Sequence, residues 1–166
     1  MTELSERAVA QRVPLLVDRP IRVISRRDPI SVGPSTSLAE CLRAIQQTGV
    51  GDSVLVVDDA GRLLGVLTER DIFARLTVAS TELVEPVKTM MTTDPRHLGL
   101  DSTVRDAIAL MATGRYRNVP LVAADGTVVG IVRQQDILRY LAEAFPEELL
   151  NLPPRPHQRI KESEGA

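Results

Sequence analysis

The chain has 166 residues, of which 43% are hydrophobic and 2% aromatic, and its formal net charge at pH 7 is −2. This length and apolar content fit one ordinary domain or two small fused ones, and they exclude a chain that is disordered throughout. The scarcity of aromatic rings and the lack of a long basic run argue against a nucleic-acid-binding surface, which needs base stacking or phosphate contacts.

The elements taken in chain order occur twice. The segment IRVISRRDPISV (21–32) aligns with VKTMMTTDPRHL (87–98), which places one Asp-Pro pair 66 residues after the other. The segment 53–73 then aligns with 118–138 at a spacing of 65 residues. Because the spacing stays nearly constant through successive landmarks, we predict two copies of one structural unit.

Each copy predicts the same order of elements. A short strand (30–32 or 96–98) is followed by a helix with a Ser or Thr cap, which ends at Gly49 or Gly114. Two strands come next, SVLVV and RLLGVL or NVPLV and TVVGIV, each pair joined by a Gly-containing turn that is typical of a hairpin. A second helix (70–76 or 135–141) completes a β-α-β-β-α unit. We expect a mixed α/β (α+β) fold in which two pseudo-symmetric units pack sheet to sheet, because one unit alone is too small to bury its sheet.

These elements divide the chain into four parts. We predict an N-terminal extension (1–17), a first unit (18–79), a second unit (80–144) and a C-terminal tail (145–166). The tail is interrupted by prolines and then becomes charged, which favours an extended conformation. It either docks a partner protein or packs on its own domain or dimer mate.

The strand-to-helix corner GVLTERD (65–71) recurs as GIVRQQD (130–136). Thr68 stands where a helix N-cap belongs and Asp71 follows three residues later, which is the spacing of a capping box. The same corner also suits a ligand, because free N–H groups at a helix start attract phosphate and a fixed carboxylate can accept hydrogen bonds from ribose hydroxyls. Across a cleft between the units, Arg115 and Arg117 of the segment GRYRNVP either meet such a phosphate or are solvated turn residues.

The paired units, their T-x-x-D corner, the NVPLV strand and the MMTTDP opening resemble a tandem pair of cystathionine-β-synthase (CBS) domains, also called a Bateman module, over residues 18–142. This resemblance implies clefts that bind adenosine ligands such as AMP, ADP, ATP or S-adenosylmethionine, association into dimers, and regulation of partner enzymes or transporters. It also implies roles for particular residues. Asp71 and Asp136 would bind ribose, Thr68 would lie near ribose and phosphate, and the adenine would meet the backbone around Ile30 and Arg96 together with Val54 and Val119.

The second corner departs from the first in its polar residues. Arg133 replaces the hydroxyl residue, and Asp52 stands where a basic residue would favour phosphate. We therefore expect the Asp71 cleft to bind a nucleotide phosphate more tightly than the Asp136 cleft.

Catalytic and metal-binding patterns are missing from the sequence. Cys41 is the only cysteine, and the two histidines, His97 and His157, have no matched cluster of cysteines or carboxylates. There is no P-loop and no G-x-S-x-G motif. We therefore expect a protein that is not an enzyme and holds neither a metal nor a catalytic cofactor.

The expected function is regulatory binding of an adenosine ligand (AMP, ADP or ATP), with output through an unidentified protein partner. Two alternatives stay open, a ligand-free dimerisation or interaction module and an S-adenosylmethionine binder. Apolar stripes on the corner helices predict a homodimer, and they comprise Ile72, Phe73, Leu76, Ile137, Leu138 and Leu141. No apolar run is long enough to span a membrane, and the N-terminus is too charged for a secretory signal, so we expect a cytoplasmic protein without a membrane partner.

Overall fold

The computed structural model describes residues 12–24, 28–48, 53–76 and 83–144. In the first unit, β1 (Ser31–Val32) leads to α2 (Leu38–Thr48), β2 (Ser53–Val57), β3 (Leu63–Thr68) and α3 (Glu69–Leu76). In the second unit, β5 (Leu98–Gly99) leads to α4 (Val104–Gly114), β6 (Asn118–Val122), β7 (Val128–Arg133) and α5 (Gln134–Ala144). Before these come α1, described over residues 12–17, and between the units lies β4 (Thr92–Thr93). The predicted β-α-β-β-α order is confirmed in both units.

Each unit builds its sheet in the same way. In the first, β1 pairs parallel with β2, β2 pairs antiparallel with β3, and β3 pairs antiparallel with β4. In the second, β5 pairs parallel with β6 and β6 antiparallel with β7. The hairpin turns use glycine with positive φ, 78° at Gly61 and 86° at Gly126, a conformation that side chains with a Cβ rarely adopt. The glycines of the DDAG and AADG segments thus form the predicted hairpins.

The helices begin where the sequence places their caps. In α4, Thr103 accepts a hydrogen bond from the Asp106 amide, and the Asp106 carboxylate accepts from the Thr103 amide at 2.8 Å. The same reciprocal arrangement at α2 joins Ser37 and Glu40, with a distance of 3.0 Å from the Ser37 amide to the carboxylate. These capping boxes satisfy N–H groups that a helix start otherwise leaves without partners. The helix α4 ends at Gly114 as predicted, and the residue after it, Arg115, has a left-handed backbone conformation.

The two units exchange their leading segments. Val17, Ile21 and Ile24 pack into the core of the second unit, whereas Val87, which precedes the second unit's first strand, packs into the core of the first. The exchange is reciprocal. Pro20 forms an isolated antiparallel β-bridge with Thr103 of the second unit, and its equivalent, Pro86, forms the same kind of β-bridge with Ser37 of the first unit. Each core therefore contains residues from both sides of the predicted boundary at 79/80, and neither sequence unit supplies a complete core by itself.

Contacts between equivalent residues mark a pseudo-twofold axis between the units. At the hairpin tips, Arg62 forms an isolated antiparallel β-bridge with Thr127, the residue that occupies the same place in the second repeat. The Leu63 amide donates to Gly126 and the Val128 amide donates to Gly61, at 3.1 and 2.9 Å. The two sheets therefore pack against each other as predicted, and the cleft described next opens between the units.

Candidate functional site

A cleft of about 570 Å³ lies between the corner of the first unit and the strand entrance of the second. This volume is within the range of small-molecule sites, roughly 300–1,000 Å³. The corner contributes Thr68, Asp71 and the neighbouring residues at the start of α3. The second unit contributes residues 94–96 and 114–118. A ligand in this cleft would contact both units at once.

The floor of the cleft is apolar. Leu55 and Val66 line it from the first sheet, and Pro120 and Ile131 line it from the second. Leu55 is fully buried, Ile131 is only 5% exposed and Val66 is half-buried, so most of the floor is shielded from water. A flat apolar ring can bury its faces against such a surface.

The corner forms a capping box around Asp71. One carboxylate oxygen, Oδ2, accepts hydrogen bonds from the Thr68 amide at 2.9 Å and from Thr68 Oγ1 at 2.6 Å. The Asp71 amide donates back to Thr68 Oγ1 at 3.3 Å. Because Oδ2 is occupied by the cap, the carboxylate is held in one orientation, and Oδ1 remains as an acceptor for a ligand hydroxyl. The two interpretations of this corner, cap and ligand contact, are therefore compatible.

Four guanidinium groups line the cleft, and three carboxylates accompany them. Within the part of the chain that the structure describes, none of the four arginines makes an ion pair; they are Arg70, Arg96, Arg115 and Arg117. The acidic lining residues are Glu69, Asp71 and Asp94. Guanidinium groups that are not already paired can bind phosphate oxygens bidentately, so this wall suits an anionic group.

Two lining residues have a strained backbone. Asp94 has φ of 48° and Arg115 has φ of 54°, and they are the only non-glycine residues with positive φ in the described ranges. Arg115 adopts this conformation directly after Gly114, where an added Cβ would collide with the ring of Tyr116. Strain of this kind persists only where the surrounding structure enforces it, and it concentrates at binding sites.

The structure brings five of the sequence-predicted residues to this one cleft: Thr68, Asp71, Arg96, Arg115 and Arg117. It does not bring Val54 and Val119 there. Both are fully buried in the helix-side cores, because alternate residues of a strand point to opposite faces. Their neighbours Leu55 and Pro120 line the cleft instead.

Two of the remaining predicted residues, Arg133 and Asp136, form the other corner. Arg133 ends β7 and Asp136 lies in the first turn of α5, and both are half-buried. Ile30 packs against the first core, and its carbonyl accepts a hydrogen bond from the Leu55 amide at 2.8 Å. Asp52, which the predicted asymmetry between the clefts invokes, lies outside the described residues. At this corner no capping hydroxyl is available, because Arg133 stands at the position of Thr68.

Sequence reasoning named the segment 114–120, which supplies Tyr116 and Asn118, but it missed other lining residues, among them Phe73, Thr92 and Ile131. Pro120 could have been recognised from the sequence, because proline is unusual within an inner strand and its presence there indicates a position with a particular structural role. The exposed Phe73 gave no such signal, because a helical apolar position is ordinarily a core position.

Other chemistry is not apparent in the described part of the chain. No group of three or more His, Cys, Asp or Glu side chains is arranged to hold a metal ion there. Burial raises the pKa of the Cys41 thiol to about 11, with a smaller contribution from Glu40, so this thiol is protonated at neutral pH. None of the described helices is long and apolar enough to cross a membrane.

Together, the exchanged repeats and the cleft between them define a two-unit module of the type that binds small molecules between its halves. The CBS-domain family model matches residues 21–77 and 87–143, and the chain belongs to this family.

Among curated relatives, a 17.7 kDa uncharacterized protein of Acidianus ambivalens is 30% identical over 68% of this chain and 66% of its own length. The chain likewise spans 66% of the length of a Methanopyrus kandleri protein to which it is 29% identical.

Two solved structures are similar. The structure of CBSX2 in complex with AMP matches with a TM-score of 0.64 and 27% identity, over 72% of this chain and 92% of that one. The CBS pair of MJ0100 in complex with 5′-methylthioadenosine and S-adenosyl-L-methionine matches with a TM-score of 0.66 and 25% identity, over 73% and 98%.

Proposed function

We propose that this protein is a regulatory module that binds an adenosine nucleotide, AMP, ADP or ATP, in the cleft at Asp71 and acts through a partner protein. One observation carries the proposal. A carboxylate fixed by its own capping box lines the same cleft as several guanidinium groups that make no ion pair among the described residues, beside an apolar floor. These three surfaces match a ribose, a phosphate and an adenine.

The contacts divide between the two units. Asp71 and Thr68 would hold the ribose from the first unit, and Arg115 and Arg117 would hold the phosphate from the second. The adenine would lie near Arg96, between Leu55 and Pro120. Relatives support the ligand class, since CBSX2 was solved with AMP and MJ0100 with two other adenosine compounds.

The Asp136 corner would form a second, weaker site. It keeps the carboxylate for ribose and offers Arg133, but it has no hydroxyl to orient that carboxylate. An adenosine compound without a strong negative charge, such as S-adenosylmethionine, is the ligand that we expect there.

Exposed apolar side chains support the proposed homodimer. Phe73 is 67% exposed and Leu138, its equivalent in the second unit, is 61% exposed. Ile72 and Ile137, which the sequence also assigned to the apolar stripes, are buried in their own cores instead. The side chain of Leu76 lies outside what is described. A second copy that covers Phe73 and Leu138 would remove both from water.

Titration calorimetry and thermal unfolding with AMP, ADP, ATP and S-adenosylmethionine test the proposal. A ligand that binds only the folded protein stabilises it by about 2.7 kcal/mol at one hundred times its Kd. Asp71→Asn should abolish nucleotide binding at the tighter of the two proposed sites. Asp106→Asn is the matched control, because Asp106 has the same capping role at α4 and lies away from the cleft. Failure of all four ligands to bind or stabilise the protein would reject the proposal in favour of a ligand-free interaction module.

A further inference from the structure

A hydrogen bond between two equivalent residues lies on the pseudo-twofold axis beside the cleft. The Asn118 amide nitrogen Nδ2 donates to Ser53 Oγ at 3.0 Å. Ser53 and Asn118 each begin the second strand of their unit, and equivalent residues can touch only near the axis that relates them. Ser53 is 5% exposed and is the one buried polar side chain in the described part of the chain. A polar pair at such a place is strengthened by its low-dielectric surroundings.

This bond joins the two walls of the cleft. On one side, Ser53 pairs with Thr68 across the β2–β3 ladder, so it is adjacent to the corner that holds Asp71. On the other side, Asn118 directly follows Arg117, and both line the cleft. The Arg117 carbonyl accepts a hydrogen bond from the Gln134 amide at 2.8 Å, which fixes the arginine backbone within its own unit. The spacing between the walls therefore depends on contacts between units, and the Ser53–Asn118 bond joins a residue adjacent to one wall with a residue of the other.

We propose that Ser53 and Asn118 are positioning residues that set the distance between the ribose corner and the phosphate-binding wall. This inference rests on the proposed nucleotide site. Ser53 does not line the cleft, so any effect of its hydroxyl on a ligand must pass through the placement of the walls. Adenosine would contact the second unit only through its adenine, whereas the phosphate of AMP would also need Arg115 and Arg117 of that unit. Loss of the bond should therefore reduce the gain in affinity that the phosphate provides, and weaken adenosine binding less than AMP binding.

The test compares the ratio of AMP affinity to adenosine affinity in three variants, by calorimetry on the full chain. Ser53→Ala should lower this ratio about tenfold, the loss expected when one charge-assisted hydrogen bond to phosphate is misplaced. Ser53→Thr keeps the oxygen and should restore the wild-type ratio. Tyr140→Phe is the control, because it removes a hydrogen bond of comparable length, from Tyr140 Oη to the Leu16 carbonyl at 3.3 Å, away from the cleft.

An equal loss for AMP and adenosine in Ser53→Ala, or no loss for either, would overturn the positioning role while leaving the nucleotide site in place. If the wild-type protein binds neither compound, the proposed function fails, and amide hydrogen exchange then decides the positioning role without a ligand. Ser53→Ala should speed exchange in residues 114–118, and unchanged exchange there would overturn the inference.

Discussion

Thr68 offers a prediction that separates capping from ligand binding, because Thr103 and Asp106 form a second capping box of the same Thr-x-x-Asp composition at α4. Thr68→Val keeps the shape of the side chain and removes Oγ1, which donates to Asp71 Oδ2 and accepts from the Asp71 amide. Thr103→Val makes the same change at α4, where the equivalent distances are 2.8 and 3.2 Å. Loss of an N-cap hydroxyl costs about 1 kcal/mol of stability, which corresponds to a fall in Tm of roughly 2–4 °C for a chain of this size.

Nucleotide binding should distinguish the two variants. Only Thr68 lies in the cleft, where its hydroxyl holds the Asp71 carboxylate in one orientation. A lost hydrogen bond to a charged group costs about 1.5–3 kcal/mol, so Thr68→Val should weaken AMP binding at least tenfold. Thr103→Val should leave the Kd unchanged at a similar loss of stability. Calorimetry with AMP and thermal unfolding by circular dichroism give both quantities. The reasoning is refuted if Thr68→Val binds AMP as well as the wild type does, or if Thr103→Val weakens binding equally.

Three further predictions use the same cleft and surfaces. Asp71 should favour ribose over deoxyribose, so 2′-deoxy-AMP should bind at least tenfold more weakly than AMP in calorimetry, and equal affinities would remove ribose binding from Asp71. Leu138→Asp should shift the protein to a monomer in sedimentation velocity at micromolar concentration, whereas a wild-type monomer would disprove the dimer. The Thr103 amide and hydroxyl hold the pKa of Asp106 below its ordinary value of 3.8. The ionised Asp106 carboxylate therefore stabilises the fold above pH 3.8, and this contribution is lost as the pH falls below that value. Asp106→Asn lacks the carboxylate, so its Tm should fall less than the wild-type Tm between pH 5 and 3.

Most of the fold could be predicted from the internal repeat in the sequence. Two aligned copies predict the order of elements, and Ser or Thr followed three residues later by an acid predicts where α2, α3 and α4 begin. These signals are local, because a capping box needs only neighbours in sequence. The corner at Thr68 and Asp71 was predictable for the same reason, and so was its likeness to the corner at Asp136.

The face of each inner strand was not predictable, which explains the substitution of Leu55 and Pro120 for Val54 and Val119. Alternation of polar and apolar residues reveals a strand's faces only when one face meets water. Residues 53–56 and 119–122 are all buried, because helices cover one face and the opposite unit covers the other. With both faces apolar, periodicity cannot tell the core side from the cleft side.

The exchange of leading segments bears on how the two corners communicate. Because Ile21 lies in the second core and Val87 in the first, a movement of one unit relative to the other must disturb both cores. The units therefore resist independent motion, and a ligand bound between Arg117 and Asp71 as proposed would act on the packing of the whole pair. Unit 2 also links the corners directly, since the Arg117 carbonyl accepts from the Gln134 amide at the start of α5, two residues before Asp136. A nucleotide bound in the first cleft as proposed would thus act on the backbone of the second corner, which would give one binding event a physical route to the surface offered to a partner.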